Sequence, residues 1–341
     1  MWPQEALAGW RVTREVAAGH ETLRLCPCCG SARSEHLFNS CKHPGVKHVA
    51  RRLRKGRYRL CHDCGVVFAA SRPKPEYAKQ YYDVLFKEGE IDDHPKAAIG
   101  RGADKHILSI LQERDLLRPG MSVLHLRCDT GWLLLEVKAL APDAKLYGLD
   151  YFDGYIRLLR EQGIKAERFD PGATTLPFNT NFDLILSNHQ LTHAIDPVGM
   201  LRMLQEALSP NGAILFYNEI DHNIELDRHS PHRRNSEIVA FHKQLFTKAT
   251  LEHLFASAGL DCEHLAHFKA KMMYLARPST TTTPQSLSDV ALLIRQKALI
   301  ADFEKQNRRR RFRKRMRPLR KVLRWVILVP QVAFSRVFGL R

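Results

Sequence analysis

The sequence contains no apolar run of the length that a transmembrane helix needs, and no secretory leader. A bilayer-spanning helix requires about 20 predominantly apolar residues, whereas the hydrophobic stretches here are shorter. Residues 1–20 mix polar and apolar side chains and lack the basic start and apolar centre of a signal peptide. Neither membrane spanning nor secretion is therefore predicted, and a reducing, cytoplasmic compartment is expected.

Acidic residues are absent from the end of the chain. Residues 305–341 carry fourteen Lys and Arg and no Asp or Glu, so this tail holds most of the net charge of +17. A short apolar run begins at Trp325, after the basic cluster. Basic residues beside aromatics suit the anionic surface of a membrane, where the protein would be peripheral. RNA is a less favoured ligand for the same charges, and a partner-binding or disordered tail remains an alternative.

Cysteine is scarce after residue 64, since six of the eight cysteines lie at or before it. Two C-x-x-C-G knuckles account for four of them, which are Cys26, Cys29, Cys61 and Cys64. This spacing predicts a zinc ribbon over residues 24–72, and a closed four-thiolate site is structural because it leaves no open position. Unliganded buried thiols are the alternative. Lesser candidate ligands are Cys28, Cys41 and His43.

The segment from Ser122 to Asp150 has the pattern of a strand, a tight turn, a helix and a second strand that ends in an acid. Ser122–Leu126 and Lys145–Leu149 are short apolar runs typical of buried strands, and Trp132–Leu140 predicts a packed helix. Such a unit opens many nucleotide-binding α/β folds. The helix N-terminus offers N–H groups to an anion, and the terminal carboxylate can accept hydrogen bonds from ribose hydroxyls.

The same segment resembles motifs I and II of the class I S-adenosylmethionine-dependent methyltransferases. Their glycine-rich loop reads here as Leu126-Arg127-Cys128-Asp129-Thr130-Gly131. Arg127 and Asp129 replace two of the three glycines, Gly131 is retained, and His125 replaces the acid in the strand. The resemblance implies that Gly131 and the helix behind it hold the methionine end of the cofactor. It also implies that Asp150 holds the ribose, with Arg127 as a counter-charge to Asp129.

Further motifs of this family follow along residues 106–278. The resemblance places Asp170, after a third strand, near the adenine amino group. The segment Asn188–Pro197 follows the fourth strand and resembles the family's Leu-Glu-His-x-x-Asp-Pro stretch, although it lacks the glutamate. Because ligands bind at the carboxyl ends of strands in open α/β sheets, His193 and His189 are candidates for a base or a substrate contact. The alternative is that His193 only packs and caps the next helix.

The sequence as a whole predicts an α/β protein. It has a Rossmann-like seven-stranded methyltransferase sheet, an N-terminal zinc ribbon and a basic helical tail, and several bacterial methyltransferases that resemble it act on sugars or cell-surface metabolites. The expected activity is methyl transfer from S-adenosylmethionine to a small metabolite or glycan precursor; a degenerate fold that serves as a binding or scaffold module is the alternative.

The predicted cofactor-binding residues are Arg127, Asp129, Gly131, Asp150, Asp170 and Asn188. The predicted segments are 1–23 (N-terminal), 24–72 (ribbon), 73–105 (linker helix), 106–278 (methyltransferase) and 279–341 (tail).

Overall fold

The computed structural model describes residues 20–39, 56–74, 106–169, 172–222, 242–268 and 271–280, together with residues 305, 308, 309, 312 and 316 of the tail. Asp170, Cys41, His43, most of the predicted linker helix and nearly all of the basic tail lie outside these residues. Among the described residues, no helix is both long enough and apolar enough to cross a membrane.

A small antiparallel sheet contains the cysteine knuckles. It is formed by β1 (His20–Thr22), β2 (Ser34–Asn39), β3 (Arg57–Cys61) and β4 (Val67–Pro73), in the order β1-β4-β3-β2. A fifth strand, β10 (Gln244–Leu245), also pairs with β4, through Gln244 opposite Phe68. The ribbon sheet is therefore completed by a segment far along the chain.

A seven-stranded sheet forms the main body, as the sequence predicts. Its first five strands are β5 (Ser122–Leu126), β6 (Lys145–Asp150), β7 (Lys165–Arg168), β8 (Phe182–Asn188) and β9 (Leu208–Ile220), and all of their pairings are parallel. An antiparallel hairpin, β11 (Leu260–Phe268) and β12 (Lys271–Pro278), adds to β9. The strand order is β11-β12-β9-β8-β5-β6-β7. The fold predicted from the alternating apolar runs is confirmed.

Helices cover both faces of this sheet, because parallel strands are apolar on both sides. One face packs with helical residues 106–113, α1 (Trp132–Leu140) and α2 (Asp153–Glu161); the other packs with α3 (Pro197–Glu206) and α4 (Lys248–Ser257). Side chains therefore alternate between two cores: Val123 belongs to the first and Leu124 to the second. Ribbon residues such as Val66 and Phe68 join the second core, so the ribbon packs directly on the α/β body.

Side-chain caps fix the first residues of α3 and α4. Asp196 caps α3, where its Oδ1 accepts from Gly199 N at 2.8 Å, so the cap is not His193. Thr247 and Thr250 form a reciprocal capping box at the start of α4. Both caps satisfy N–H groups that a helix leaves without intrahelical partners.

Candidate functional site

The loop after β5 keeps the backbone shape of a glycine-rich loop although two of its glycines are replaced. Arg127 and Asp129 adopt φ of 57° and 49°, and Gly131 adopts 79°. Left-handed backbone is costly for residues with a Cβ, less so for aspartate. The loop therefore has a backbone conformation that glycine favours, and two side chains are held in it at a cost in free energy.

Gly131 cannot be replaced without movement of its surroundings. It precedes α1, and a Cβ at this position would lie 2.5 Å from Leu159 Cδ2. A close approach together with a positive φ requires glycine. The N-terminus of α1 thus opens directly beside the loop, where its N–H groups can meet an anionic group.

Asp150 lies at the carboxyl end of β6, buried at 4% exposure. Its Oδ2 accepts from Asp129 N at 3.0 Å and its Oδ1 accepts from Phe152 N at 3.1 Å. Burial raises the pKa of Asp150 to about 7, the charge of Asp129 adds to this, and the two N–H groups and Arg127 oppose it. Each carboxylate oxygen accepts one of these bonds, and a second lone pair remains on each for a ribose hydroxyl.

Asn188, at the end of β8, joins this loop to the neighbouring strand ends. Its Nδ2 donates to Arg127 O at 3.5 Å and its Oδ1 accepts from Asn218 Nδ2 at 2.9 Å. Asn218 and His189 also have positive φ, of 58° and 51°. Four of the five non-glycine residues with positive φ in the described chain thus lie at this one edge of the sheet. Such clustering of unfavourable backbone is characteristic of functional sites.

His125, which stands where the family has an acid, faces away from this chemistry. It is buried, and its Nε2 lies 2.6 Å from Tyr217 Oη. Burial lowers the pKa of His125 to about 3, so the ring is neutral. Its position serves the core between β5 and β9.

Three histidines meet beside the end of β8, and we call them the histidine cluster: His189, His193 and His242. Their ring centroids are 5.1 Å (189–193), 5.5 Å (189–242) and 4.9 Å (193–242) apart. One ring nitrogen from each lies within 4.8 Å of the others. Burial holds the pKa values of His189 and His193 well below the ordinary value, and the charge that His242 would carry adds to this. Both rings are therefore neutral near pH 7.

Glu219 is a buried carboxyl that faces the histidine cluster from β9. Its Oε1 accepts from Gln190 N at 3.0 Å and from Leu191 N at 3.3 Å. Its Oε2 lies 3.9 Å from His189 Nδ1, and neither atom has a hydrogen-bond partner among the described residues. Burial raises the pKa of Glu219 to about 8, against the opposing effect of the two N–H groups. A proton-accepting and proton-donating pair of groups is thus enclosed at the site.

The ribbon holds the backbone of the histidine cluster. Tyr58 Oη donates to the carbonyl of His242, and Ala69 N donates to Lys243 O at 2.8 Å. Lys243 in turn donates from Nζ to His193 O at 2.6 Å and from its backbone N to Thr192 O at 2.8 Å. Burial lowers the pKa of Lys243 to about 7, and the charge of Arg72 acts in the same direction. The ribbon therefore fixes the positions of two of the three histidines.

The four knuckle cysteines have the arrangement of a tetrahedral metal site. Cys26 and Cys64 Sγ lie 3.6 Å apart, Cys29 and Cys61 Sγ lie 3.5 Å apart, and all four sulfurs are within 4.8 Å of one another. Zinc–sulfur bonds of about 2.3 Å in a tetrahedron place the sulfurs about 3.8 Å apart. Gly30 and Gly65 have φ of 74° and 69° and close each knuckle through an N–H bond to the first cysteine carbonyl. The residues present fit zinc.

The structure brings most of the predicted site residues to one edge of the sheet. Arg127, Asp150 and Asn188 follow adjacent strands, and His189 and His193 lie beside them. Sequence reasoning missed Glu219, His242 and Lys243. Glu219 carried one usable signal, a lone acid at the end of an apolar strand, whereas His242 and Lys243 carried none.

Residues 100–265 match the family model described as "Methyltransferase domain". A malonyl-[acyl-carrier protein] O-methyltransferase from Bacillus cereus is 26% identical over 133 residues, which are 38% of this chain and 49% of that protein. The chain thus spans about half the length of this curated relative.

Solved methyltransferase structures are similar to the chain at low identity. The DhpI–SAH complex is 18% identical, with a TM-score of 0.45, and the match covers 61% of this chain and 98% of that one. An S-adenosylmethionine-dependent methyltransferase from Mesorhizobium loti is 21% identical, with a TM-score of 0.40 and coverage of 48% and 94%.

Proposed function

We infer, from the match of residues 100–265 to a methyltransferase-domain model, that the protein transfers the methyl group of S-adenosylmethionine to a small metabolite or a cell-surface glycan precursor. The observation that carries this inference is the coincidence, at one sheet edge, of a left-handed cofactor loop, a buried acid at the end of β6 and a buried group of bases. A binding module needs the first two features but has no use for the third.

The residues would divide the work as follows. Asp150 accepts hydrogen bonds from the ribose, while Gly131 and the N-terminus of α1 hold the methionine end. The acceptor nucleophile attacks the methyl carbon, the carbon–sulfur bond breaks, and S-adenosylhomocysteine leaves. His193 takes the proton of the nucleophile, and His189 and Glu219 complete its buried surroundings. Most of the rate enhancement in such a reaction comes from holding the two reactants in line in a site without water.

Calorimetric titration with S-adenosylmethionine and S-adenosylhomocysteine tests the proposal. We expect micromolar binding of both by the full chain. Asp150→Ala should weaken it by about 1–3 kcal/mol, since hydrogen bonds to a charged group are lost. Asp143→Ala, at an exposed acid near the start of the same strand, is the matched control and should bind as the wild type does. Equal affinity in all three proteins would show that no cofactor lies against β6.

A binding or scaffold module is the second candidate function. Arg127 and Asp129 favour it, because they keep side chains where glycine would let a cofactor approach. The same titration separates the two functions. No heat at millimolar S-adenosylmethionine would establish the scaffold and end the enzyme proposal.

We further propose that Cys26, Cys29, Cys61 and Cys64 bind one structural zinc ion. The sulfur–sulfur distances and the two closed knuckles support this. Elemental analysis should show that Cys26→Ser and Cys61→Ser each lose about one metal equivalent relative to the wild type. Cys262→Ser, on β11 away from the knuckles, should lose none. Full metal content in both knuckle variants would contradict the assignment.

A further inference from the structure

Two buried polar atoms at the histidine cluster lack the partners that buried groups ordinarily have. Within the part of the chain that the structure describes, His189 Nδ1 and Glu219 Oε2 are both enclosed without a hydrogen bond, 3.9 Å apart. Glu219 is 1% exposed, and leaving such an atom unpaired is costly. Unpaired groups beside three converging imidazoles indicate that something belongs between the rings.

We propose that His189, His193 and His242 bind one divalent transition-metal ion of the zinc class, at a second site separate from the four cysteines. Three imidazoles with an open fourth position are the ligand set of catalytic zinc sites, and imidazole nitrogens suit zinc, copper, nickel and iron better than calcium or magnesium. Binding of this ion is independent of the proposed function. The chemical use of the ion extends the proposed function and rests on it.

The distances fit a site that closes slightly around its ion. Metal–nitrogen bonds of about 2.0–2.1 Å in a tetrahedron place the ligand nitrogens about 3.4 Å apart. The ring nitrogens of the cluster are already within 4.8 Å of one another. Binding of the ion would have to draw the nitrogens together by at most about 1.4 Å. His193 ends the 3-10 turn Leu191–His193, and His242 directly precedes the segment Lys243–Gln244 that joins the ribbon sheet.

Glu219 supplies the orienting group that metal-bound imidazoles require. A ligating histidine almost always donates its other ring N–H to a carboxylate or carbonyl. With the metal on Nε2 of His189, the proton lies on Nδ1, which faces Glu219 Oε2. Closing the present 3.9 Å to a hydrogen bond pairs both of the atoms that now lack partners.

The open position gives the ion a task in methyl transfer. An acceptor hydroxyl bound there loses its proton more readily, because the cation stabilises the alkoxide. The alkoxide oxygen then forms its bond to the methyl carbon as the carbon–sulfur bond breaks, and the released proton passes to solvent. In this arrangement the histidines are ligands, and the ion takes over the activation that a free imidazole would otherwise provide.

Cobalt replacement of the metals in the full chain tests the proposal. Thiolate-bound Co²⁺ has an intense sulfur-to-metal charge-transfer band, whereas imidazole-bound Co²⁺ shows only weak d–d bands, so the two sites are read separately. We expect two cobalt equivalents per wild-type chain. His189→Gln, His193→Gln and His242→Gln should each hold one equivalent with the charge-transfer band unchanged. The exposed His106 provides the control His106→Gln, which should hold two.

The thiolate band also reports that the ribbon remains folded in each variant. If a glutamine variant fails to fold, the wild-type stoichiometry decides alone. One equivalent in the wild type, or two in all three cluster variants, overturns the proposal. Titration with S-adenosylmethionine on the same samples separates this result from the proposed function. Cofactor binding with a single equivalent removes the second site and leaves the enzyme, whereas two equivalents without cofactor binding keep the site and remove the enzyme.

Discussion

Replacing Arg127 by glycine should give a more stable protein than replacing it by alanine. Both changes remove the same charge, so their difference isolates the backbone. Alanine must keep the left-handed φ of 57°, which costs a non-glycine residue about 1–2 kcal/mol. Glycine avoids this cost, but its greater conformational entropy stabilises the unfolded chain by about 0.4–1 kcal/mol. The Gly variant should therefore exceed the Ala variant by about 0.5–1 kcal/mol.

A matched pair at a helical position shows the opposite sign. Lys138 is exposed on α1, where glycine is about 1 kcal/mol less favourable than alanine. Urea unfolding of the four variants, followed by circular dichroism, measures both differences at a common slope. The Gly variant at Arg127 should also bind S-adenosylmethionine at least as tightly as the Ala variant. If the order at 127 matches the order at 138, the loop is not left-handed and the cofactor cradle inferred from it is absent.

Three further outcomes are expected. Cofactor affinity should rise between pH 6 and 8, because ionised Asp150 accepts the ribose bonds and its pKa of about 7, set by burial and by Asp129, lies in that window; titration should find no such rise in Asp150→Asn. Tyr58→Phe should lower the free energy of unfolding by about 1–3 kcal/mol in urea, since the carbonyl of His242 is left without its donor; an unchanged value would mean that the ribbon does not hold this segment. The chain should bind anionic vesicles, and this binding should weaken with added salt, because the screening length is about 10 Å at 0.1 M ionic strength. Truncation after Ser279 should abolish the binding, whereas displacement of the vesicles by RNA would identify the tail as a nucleic-acid arm.

The centre of the sheet could be predicted because its strands β5, β6, β8 and β9 contain apolar runs between turn signals. Ser122–Leu126 is such a run, and its side chains supply both cores. Trp132–Leu140 has the same bounds in the structure as in the sequence pattern. The pairing of β10 with β4 was out of reach, since two residues carry no periodicity and register is set by tertiary packing.

The site was predictable only where a motif marks the end of a strand. Asp150 and Asn188 were found because parallel strands present their carboxyl ends at one edge. The left-handed shape at Arg127 and Asp129 was not, because neither residue type calls for a positive φ. His242 reaches the site through tertiary contacts of its segment, including those with the ribbon, and no local pattern encodes such contacts.

The pairing of β10 with β4 also has a consequence for the order of synthesis. Tyr58 and His242, which meet across this junction, are 184 residues apart. At about 5–20 residues per second the ribosome needs roughly 10–40 seconds to cover that distance. Throughout this interval Val67 and Phe68 of β4 lack the strand that pairs with them, and an open stretch of strand edge is a template for aggregation. Metal binding by the two knuckles would keep the ribbon folded until β10 is synthesised. Cells starved of zinc should therefore accumulate this chain as aggregates, not as a folded protein that merely lacks its ion.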